Sequence, residues 1–145
     1  MSAWNNSTPE ERIAKWRDLR EHISTLSEEE QINSIAEFFA RVPIGARCVD
    51  FYTPDSWPTP WELLYHKLFC ASTISLLIYH TLCVALGEER VSIVLVDTGD
   101  DRFLVPLVDK QRVFNFELGK VNNIKECTTL EIVDEFLDAE MHQIK

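Results

Sequence analysis

Cys70 is the residue best placed by sequence to do covalent chemistry, because a corner precedes it and a helical pattern follows it. A thiol at a helix N-terminus lies among unpaired N–H groups and the positive end of the macrodipole, which favour the thiolate. A cysteine nucleophile also needs a base within hydrogen-bond reach, and a group that orients the base. His66 stands four residues earlier and shares a face with Cys70 only if one helix runs through both. That same continuity would take Cys70 away from a helix terminus. His80 is ten residues further on, about 15 Å along an α-helix, and out of reach. The plain alternative for Cys70 is a packed apolar thiol, and the same holds for His80 and Cys83.

Metal and phosphate chemistry find little support. His66 with Cys70, and His80 with Cys83, each offer two ligands at helical spacing. Zinc takes four protein ligands, or three plus water, and no second pair stands at ligand spacing. Asp97-Thr-Gly-Asp-Asp is acidic but lacks the alternating ligands and distal Glu of a calcium loop. There is no phosphate loop, no Gly-x-Gly-x-x-Gly and no Gly-x-Ser-x-Gly. The expectation is no metal and no cofactor.

The elements that must position Cys70 follow from hydrophobic period and capping signals. Thr8, Pro9 and Glu11 open a helix whose Ile13, Trp16, Leu19 and Ile23 recur at helical spacing, leaving Arg12, Lys15, Arg17 and Glu21 for solvent. Ser27 and Glu30 open a second, with Ile32, Ile35, Phe38 and Phe39 on one face and Pro43 and Gly45 after its end. The two read as an antiparallel pair. Residues 46–58 look extended and turn-rich, since Pro54, Pro58 and Pro60 bias the residue before each away from helix. Thr59, Pro60 and Glu62 open a third helix. Leu68, Phe69, Leu76, Leu77, Ile78 and Leu82 cannot share one narrow stripe, so a break falls near Lys67–Ala71, with a core helix behind it that Gly87 ends.

Val91-Ser-Ile-Val-Leu-Val is apolar on both faces and reads as a strand buried on both sides. Gly99 serves the turn after it, and Phe103-Leu-Val-Pro-Leu-Val returns, with Pro106 at an edge or a bulge. Val113-Phe-Asn-Phe-Glu-Leu makes a third antiparallel strand. A loop covers residues 119–128, and Thr129 begins a last helix carrying Ile132, Val133, Phe136 and Leu137. The fold class is α+β: an N-terminal helical pair, a central apolar helix, a three-stranded antiparallel meander and a C-terminal helix.

Composition sets the outer limits. A chain of 145 residues, 46% hydrophobic and 26% charged, fits a single domain over residues 1–145. A net charge of −10 argues against general binding to nucleic-acid phosphates or anionic lipid. Basic partner surfaces suit it, and an acidic inhibitor of a nucleic-acid-binding host protein is one reading. The start, Met1-Ser-Ala-Trp-Asn-Asn-Ser, has no basic n-region or apolar h-region. Residues 68–86 hold Ser72, Thr73, Ser75, His80 and Thr81, which suits a buried helix better than a membrane span. Cys48, Cys70, Cys83 and Cys127 show no Cys-x-x-Cys pair and read as free thiols, buried as small hydrophobes. The cytoplasm is the expected compartment, of the host if the chain is phage-encoded.

The order of elements, a cysteine at the start of a core helix and then an antiparallel meander, resembles the core of the transglutaminase-like and papain-like cysteine enzymes over residues 58–118. The resemblance is one of pattern. It implies a His base at the start of the strand after the first turn, and an orienting Asp on the next strand. In this chain those positions fall near Asp101 or Arg102 and near Asn115, so the resemblance implies a member without the catalytic dyad.

Trp57-Pro58-Thr59-Pro60-Trp61-Glu62, ahead of an apolar helix and a meander, is similar to a segment in small proteins of large tailed phages. That implies a virion component or a host-directed factor. Trp57, Trp61 and Tyr52 are the candidate partner contacts, since aromatics spaced by prolines make a rigid surface; the alternative is that they plug the core. The leading expectation is a non-catalytic protein with a protein partner. A cysteine-dependent acyl transferase or hydrolase using Cys70 is the alternative.

Overall fold

Three helices begin on the same reciprocal cap, in the computed structural model that describes residue 4 and residues 6–136. They are α1 (Pro9–Ile23), α2 (Glu28–Phe39) and α3 (Pro60–His66). The boxes are Thr8 with Glu11, Ser27 with Glu30 and Thr59 with Glu62, each satisfying two backbone N–H groups that a helix start leaves unpaired. Residues 46–58 carry no regular element beyond a short 3₁₀ turn at Pro54–Ser56. The break ahead of the core helix is real. Lys67 takes φ 56°, closing α3 in the left-handed region, and α4 (Ala71–Leu86) starts afresh after Cys70.

Helix α4 is apolar around its circumference because Ser72–Tyr79, Thr81 and Leu82 are all buried, while Val84 near its end is exposed. It packs across the sheet on one face and beneath the first three helices on the other. Ile74, Leu76, Leu77 and Leu82 are all fully buried, each worth roughly 2 kcal/mol of transfer free energy. Its buried hydroxyls are matched: Thr81 donates to the Leu77 carbonyl at 2.7 Å and accepts from Trp16 Nε1 at 2.8 Å.

The sheet has five strands, β1 (Val91–Asp97), β2 (Arg102–Val108), β3 (Arg112–Phe114), β4 (Val121–Asn123) and β5 (Glu131–Phe136). Their order is β4-β3-β2-β1-β5, with every pairing antiparallel. The expected three-stranded meander is its centre. Ile93 and Leu95 of β1 face the helices, while Val94 and Val96 join Val105, Leu107 and Val113 in a second core on the far face. Phe116, Ile124 and Leu130 cover that far core, so a non-helical segment does the work of a second helical layer. Asp109 and Lys110, both at positive φ, form the tight turn between β2 and β3. Pairing with β3 stops at Leu107, so at Pro106 no neighbour asks for the missing N–H.

Four sequence expectations are corrected. The last helix from Thr129 is instead β5, which pairs with the open edge of β1, from Asp97↔Glu131 to Ile93↔Phe136. A fully buried β1 requires a ladder partner on both edges, and that demand overrides the spacing of Ile132, Val133 and Phe136. Leu137 lies outside the described residues. The expected loop at 119–128 contains β4, which extends the sheet beyond three strands. The third strand is shorter than expected, because Asn115 turns out of it at φ 62°. Finally, Arg12 is not a solvent residue. It is 5% exposed, and its guanidinium donates to the carbonyls of Leu64 at 2.6 Å, Tyr65 at 2.8 Å and Ser7. It thereby satisfies the last carbonyls of α3, which have no partner of their own.

Candidate functional site at the start of the core helix

Cys70 is the N-cap of α4, in extended geometry at φ −132° and ψ 174°. A thiol here takes the place of the usual Ser, Thr or Asp oxygen. Its Sγ accepts the Thr73 N–H at 3.5 Å, and the Thr73 hydroxyl accepts the Cys70 N–H at 2.8 Å. The same hydroxyl donates to the Leu68 carbonyl at 2.6 Å, which ties the corner to the helix start. Cys48 arrives from the irregular connection after α2, and its thiol donates to Cys70 Sγ across 3.6 Å.

The titration of this pair follows from these contacts. Burial pushes the Cys70 thiol up, but hydrogen bonds from Thr73 and Cys48 outweigh it and hold the thiol below its ordinary value. Cys48 goes the other way, pushed up to about 11 by burial, by its hydrogen bond to Cys70 and by repulsion from that sulfur. One sulfur is prepared as a thiolate, and its neighbour is kept as the proton donor.

Cys70 opens into a cleft of about 390 Å³. Ala71 and Ser72 of α4, Ile44, Gly45 and Arg47 of the connection, and Asp101, Arg102 and Phe103 of the β1–β2 hairpin line it with Cys70. Gly45 is needed for a close approach: its N–H donates to the Phe69 carbonyl at 2.7 Å, and a Cβ would lie 3.3 Å from that oxygen. Ser72 Oγ accepts the Leu104 N–H at 3.1 Å and locks α4 to β2 beside the cleft.

Arg102 is engaged on two sides. Its Nε donates to Asp97 Oδ2 at 3.0 Å and its Nη1 to the Tyr52 hydroxyl at 3.0 Å. These partners hold the guanidinium firmly charged, and the Gly99 N–H, with Arg102, lowers Asp97. Asn115 Nδ2 reaches back to α4, donating to the Ala71 carbonyl and to Ser75 Oγ, both at 2.9 Å. Its left-handed backbone is what aims the amide at the helix.

The residues singled out from sequence distribute unevenly around this cleft. Cys70, Asp101 and Arg102 line it, and Asn115 braces its floor. Among the described residues no histidine lines it. His66 ends α3 beside the Tyr65 ring, and His80 lies within α4 beside Tyr79. Trp57 is 3% exposed, packs edge-on against Phe136 at 5.0 Å and donates to the Asp50 carbonyl at 2.7 Å. Trp61 is 40% exposed over Trp16 and Arg20, and Tyr52 is 63% exposed beside Arg102. Sequence reasoning missed Cys48 as a site residue. It is exposed rather than packed, Cys83 is half-buried, and only Cys70 and Cys127 are buried. No spacing signal links positions 48 and 70; the fold alone joins them.

No protein-family model matches the chain, and no curated protein matches it by sequence. Solved structures do. Legionella pneumophila LapG in its calcium-bound form superposes with a TM-score of 0.75 at 16% identity, covering 90% of this chain and 77% of that one. LapG of the same organism gives 0.74 at 15% identity, covering 88% and 74%. Its EGTA-treated form gives 0.73 at 14%, covering 88% and 73%. The chain therefore shares the fold of these structures over most of its length.

Among the described residues no group of three or more His, Cys, Asp or Glu side chains is placed to hold a metal. Asp97 spends its carboxylate on Gly99 and Arg102. No helix among the described residues is long and apolar enough to cross a membrane.

Proposed function

We propose that this protein is a non-catalytic interaction module that uses a transglutaminase-like core to hold a protein partner at the Cys70 cleft. The observation that carries the reading is the identity of the groups facing Cys70. Arg102 is cationic at every physiological pH and cannot accept a proton. A carboxylate is several pH units too weak a base to deprotonate a thiol. The cleft therefore offers an anchored sulfur and a charged arginine, with an exposed aromatic bonded to that arginine, but no imidazole that could turn over an acyl intermediate.

Tyr52, bonded to Arg102, supplies an exposed aromatic contact beside the cleft. Trp61 presents a second on the α1–α3 side. The Trp57–Glu62 segment supports a phage setting, as a virion component or a host-directed factor, which head or tail genes beside this one would test. The cysteine-enzyme reading keeps one observation in its favour, the Thr73 N–H that favours the Cys70 thiolate.

One comparison separates the two. Wild type and Cys70→Ala are assayed on quenched fluorescent casein and on an activated thioester, and a partner identified by crosslinking is titrated against both and against Tyr52→Ala. The expected result is no turnover above background, an unchanged partner affinity in Cys70→Ala, and at least about a tenfold weaker affinity in Tyr52→Ala, a loss in the range of an interface anchor. Turnover that vanishes with Cys70→Ala overturns the reading in favour of the enzyme.

A further inference from the structure

Cys48 and Cys70 are far apart in sequence, yet their sulfurs stand 3.6 Å apart at the start of α4. Bonded sulfurs lie about 2.05 Å apart, so a relative shift of roughly 1.5 Å joins them. The fold allots that shift to one side. Cys70 is held by α4, by the Thr73 N–H and by the Thr73 hydroxyl on its own N–H. Cys48 lies in a connection without regular secondary structure, and its side chain is exposed. The other cysteines are elsewhere: Cys127 contacts the Asn123 carbonyl, and Cys83 lies far along α4.

We propose that Cys48 and Cys70 are a redox pair, in which hydrogen peroxide writes a reversible disulfide at the start of α4 and a small dithiol erases it. Cys70 is the attacked and attacking sulfur, Cys48 the resolving one. In the first step the Cys70 thiolate attacks one peroxide oxygen, the O–O bond breaks, and hydroxide leaves and is protonated to water. Cys70 is now a sulfenic acid, two electrons poorer. In the second step Cys48 sulfur attacks Cys70 sulfur, the S–O bond breaks, and the hydroxyl departs as water with the Cys48 proton. A dithiol returns two electrons and two protons and leaves as a cyclic disulfide.

The chemistry suits the two roles. A peroxide-reactive sulfur needs thiolate character, which the hydrogen bonds at the helix start favour at Cys70. Cys70 is 2% exposed, so a small oxidant reaches it along the cleft that it lines. A resolving thiol needs proximity and freedom to move, which the irregular connection supplies to Cys48. The disulfide ties that connection covalently to the start of α4.

The test uses the reduced full chain, treated with increasing peroxide, quenched with N-ethylmaleimide and digested without reductant for mass spectrometry. The expected result is a single crosslinked peptide pair containing Cys48 and Cys70, with alkylatable thiols falling from four to two and returning to four after dithiothreitol. Cys48→Ser should instead accumulate a dimedone-trappable sulfenic acid on Cys70 at peroxide doses that crosslink the wild type. Wild-type thiols that stay fully alkylatable overturn the proposal. So does Cys70 passing to sulfinic acid while Cys48 remains alkylatable, or equal dimedone trapping with and without Cys48.

Discussion

Thr73 and Cys70 cap each other: the Thr73 N–H reaches the cysteine sulfur at 3.5 Å, and the Thr73 hydroxyl takes the cysteine N–H at 2.8 Å. Because the hydroxyl also donates to Leu68, removing it strands the buried Cys70 N–H and takes a donor from the Leu68 carbonyl. Thr73→Val should therefore cost about 1–3 kcal/mol in urea unfolding and raise the pH midpoint of Cys70 alkylation. Thr73→Ser should restore both. A Thr73→Val protein with unchanged stability would show that the cap is incidental.

The two thiols at the cleft should titrate far apart. Cys70 lies below its ordinary value, so it adds stability above the unfolded value and loses it as pH falls through its folded value. Cys48 is the reverse: raised to about 11, it subtracts stability as pH climbs from the unfolded value towards that one. Iodoacetamide rates followed peptide by peptide should give Cys70 a lower midpoint in the folded than in the unfolded chain, with Cys48 lagging to strongly alkaline pH. Cys48→Ala should move the Cys70 midpoint up, since it removes one of the hydrogen bonds that favour the thiolate.

Trp57 and Trp61 share a motif but not an environment. Trp57→Ala empties a core site against Phe136 and takes the indole donor from the Asp50 carbonyl, and should cost about 3–5 kcal/mol in chemical denaturation. Trp61→Ala loses a partly exposed ring over Trp16 and Arg20, and should cost roughly 1 kcal/mol. Equal losses at both positions would contradict this division.

Arg12 is the most heavily used charge in the helical layer. Replacing it with Met keeps the apolar stem but leaves the carbonyls of Leu64 and Tyr65 without a donor. Arg12→Met should lower stability by about 3 kcal/mol, and Arg12→Lys should recover only part of it, since one ammonium cannot span the same fork of acceptors. Thermal or urea unfolding of both variants is the check.

Much of this protein was legible in local sequence, because the signals act over one or two helical turns. Each capping box sits where Thr8, Ser27 and Thr59 announce it, the break at Lys67 follows from apolar residues too widely spread for one stripe, and the burial of both faces of β1 follows from an unbroken β-branched run. Those features also placed Cys70 at a helix start.

Tertiary structure decided the rest. Glu131–Phe136 has a spacing that suits a helix, and it became a strand because the open edge of β1 needed a ladder partner. Arg12 has a solvent position by period, and it was drawn inward by the carbonyl end of α3. The pairing of Cys48 with Cys70 belongs to the same class. Periodicity and capping report forces between near neighbours in the chain, whereas ladder edges, orphaned carbonyls and a second sulfur are met only when distant segments are brought together.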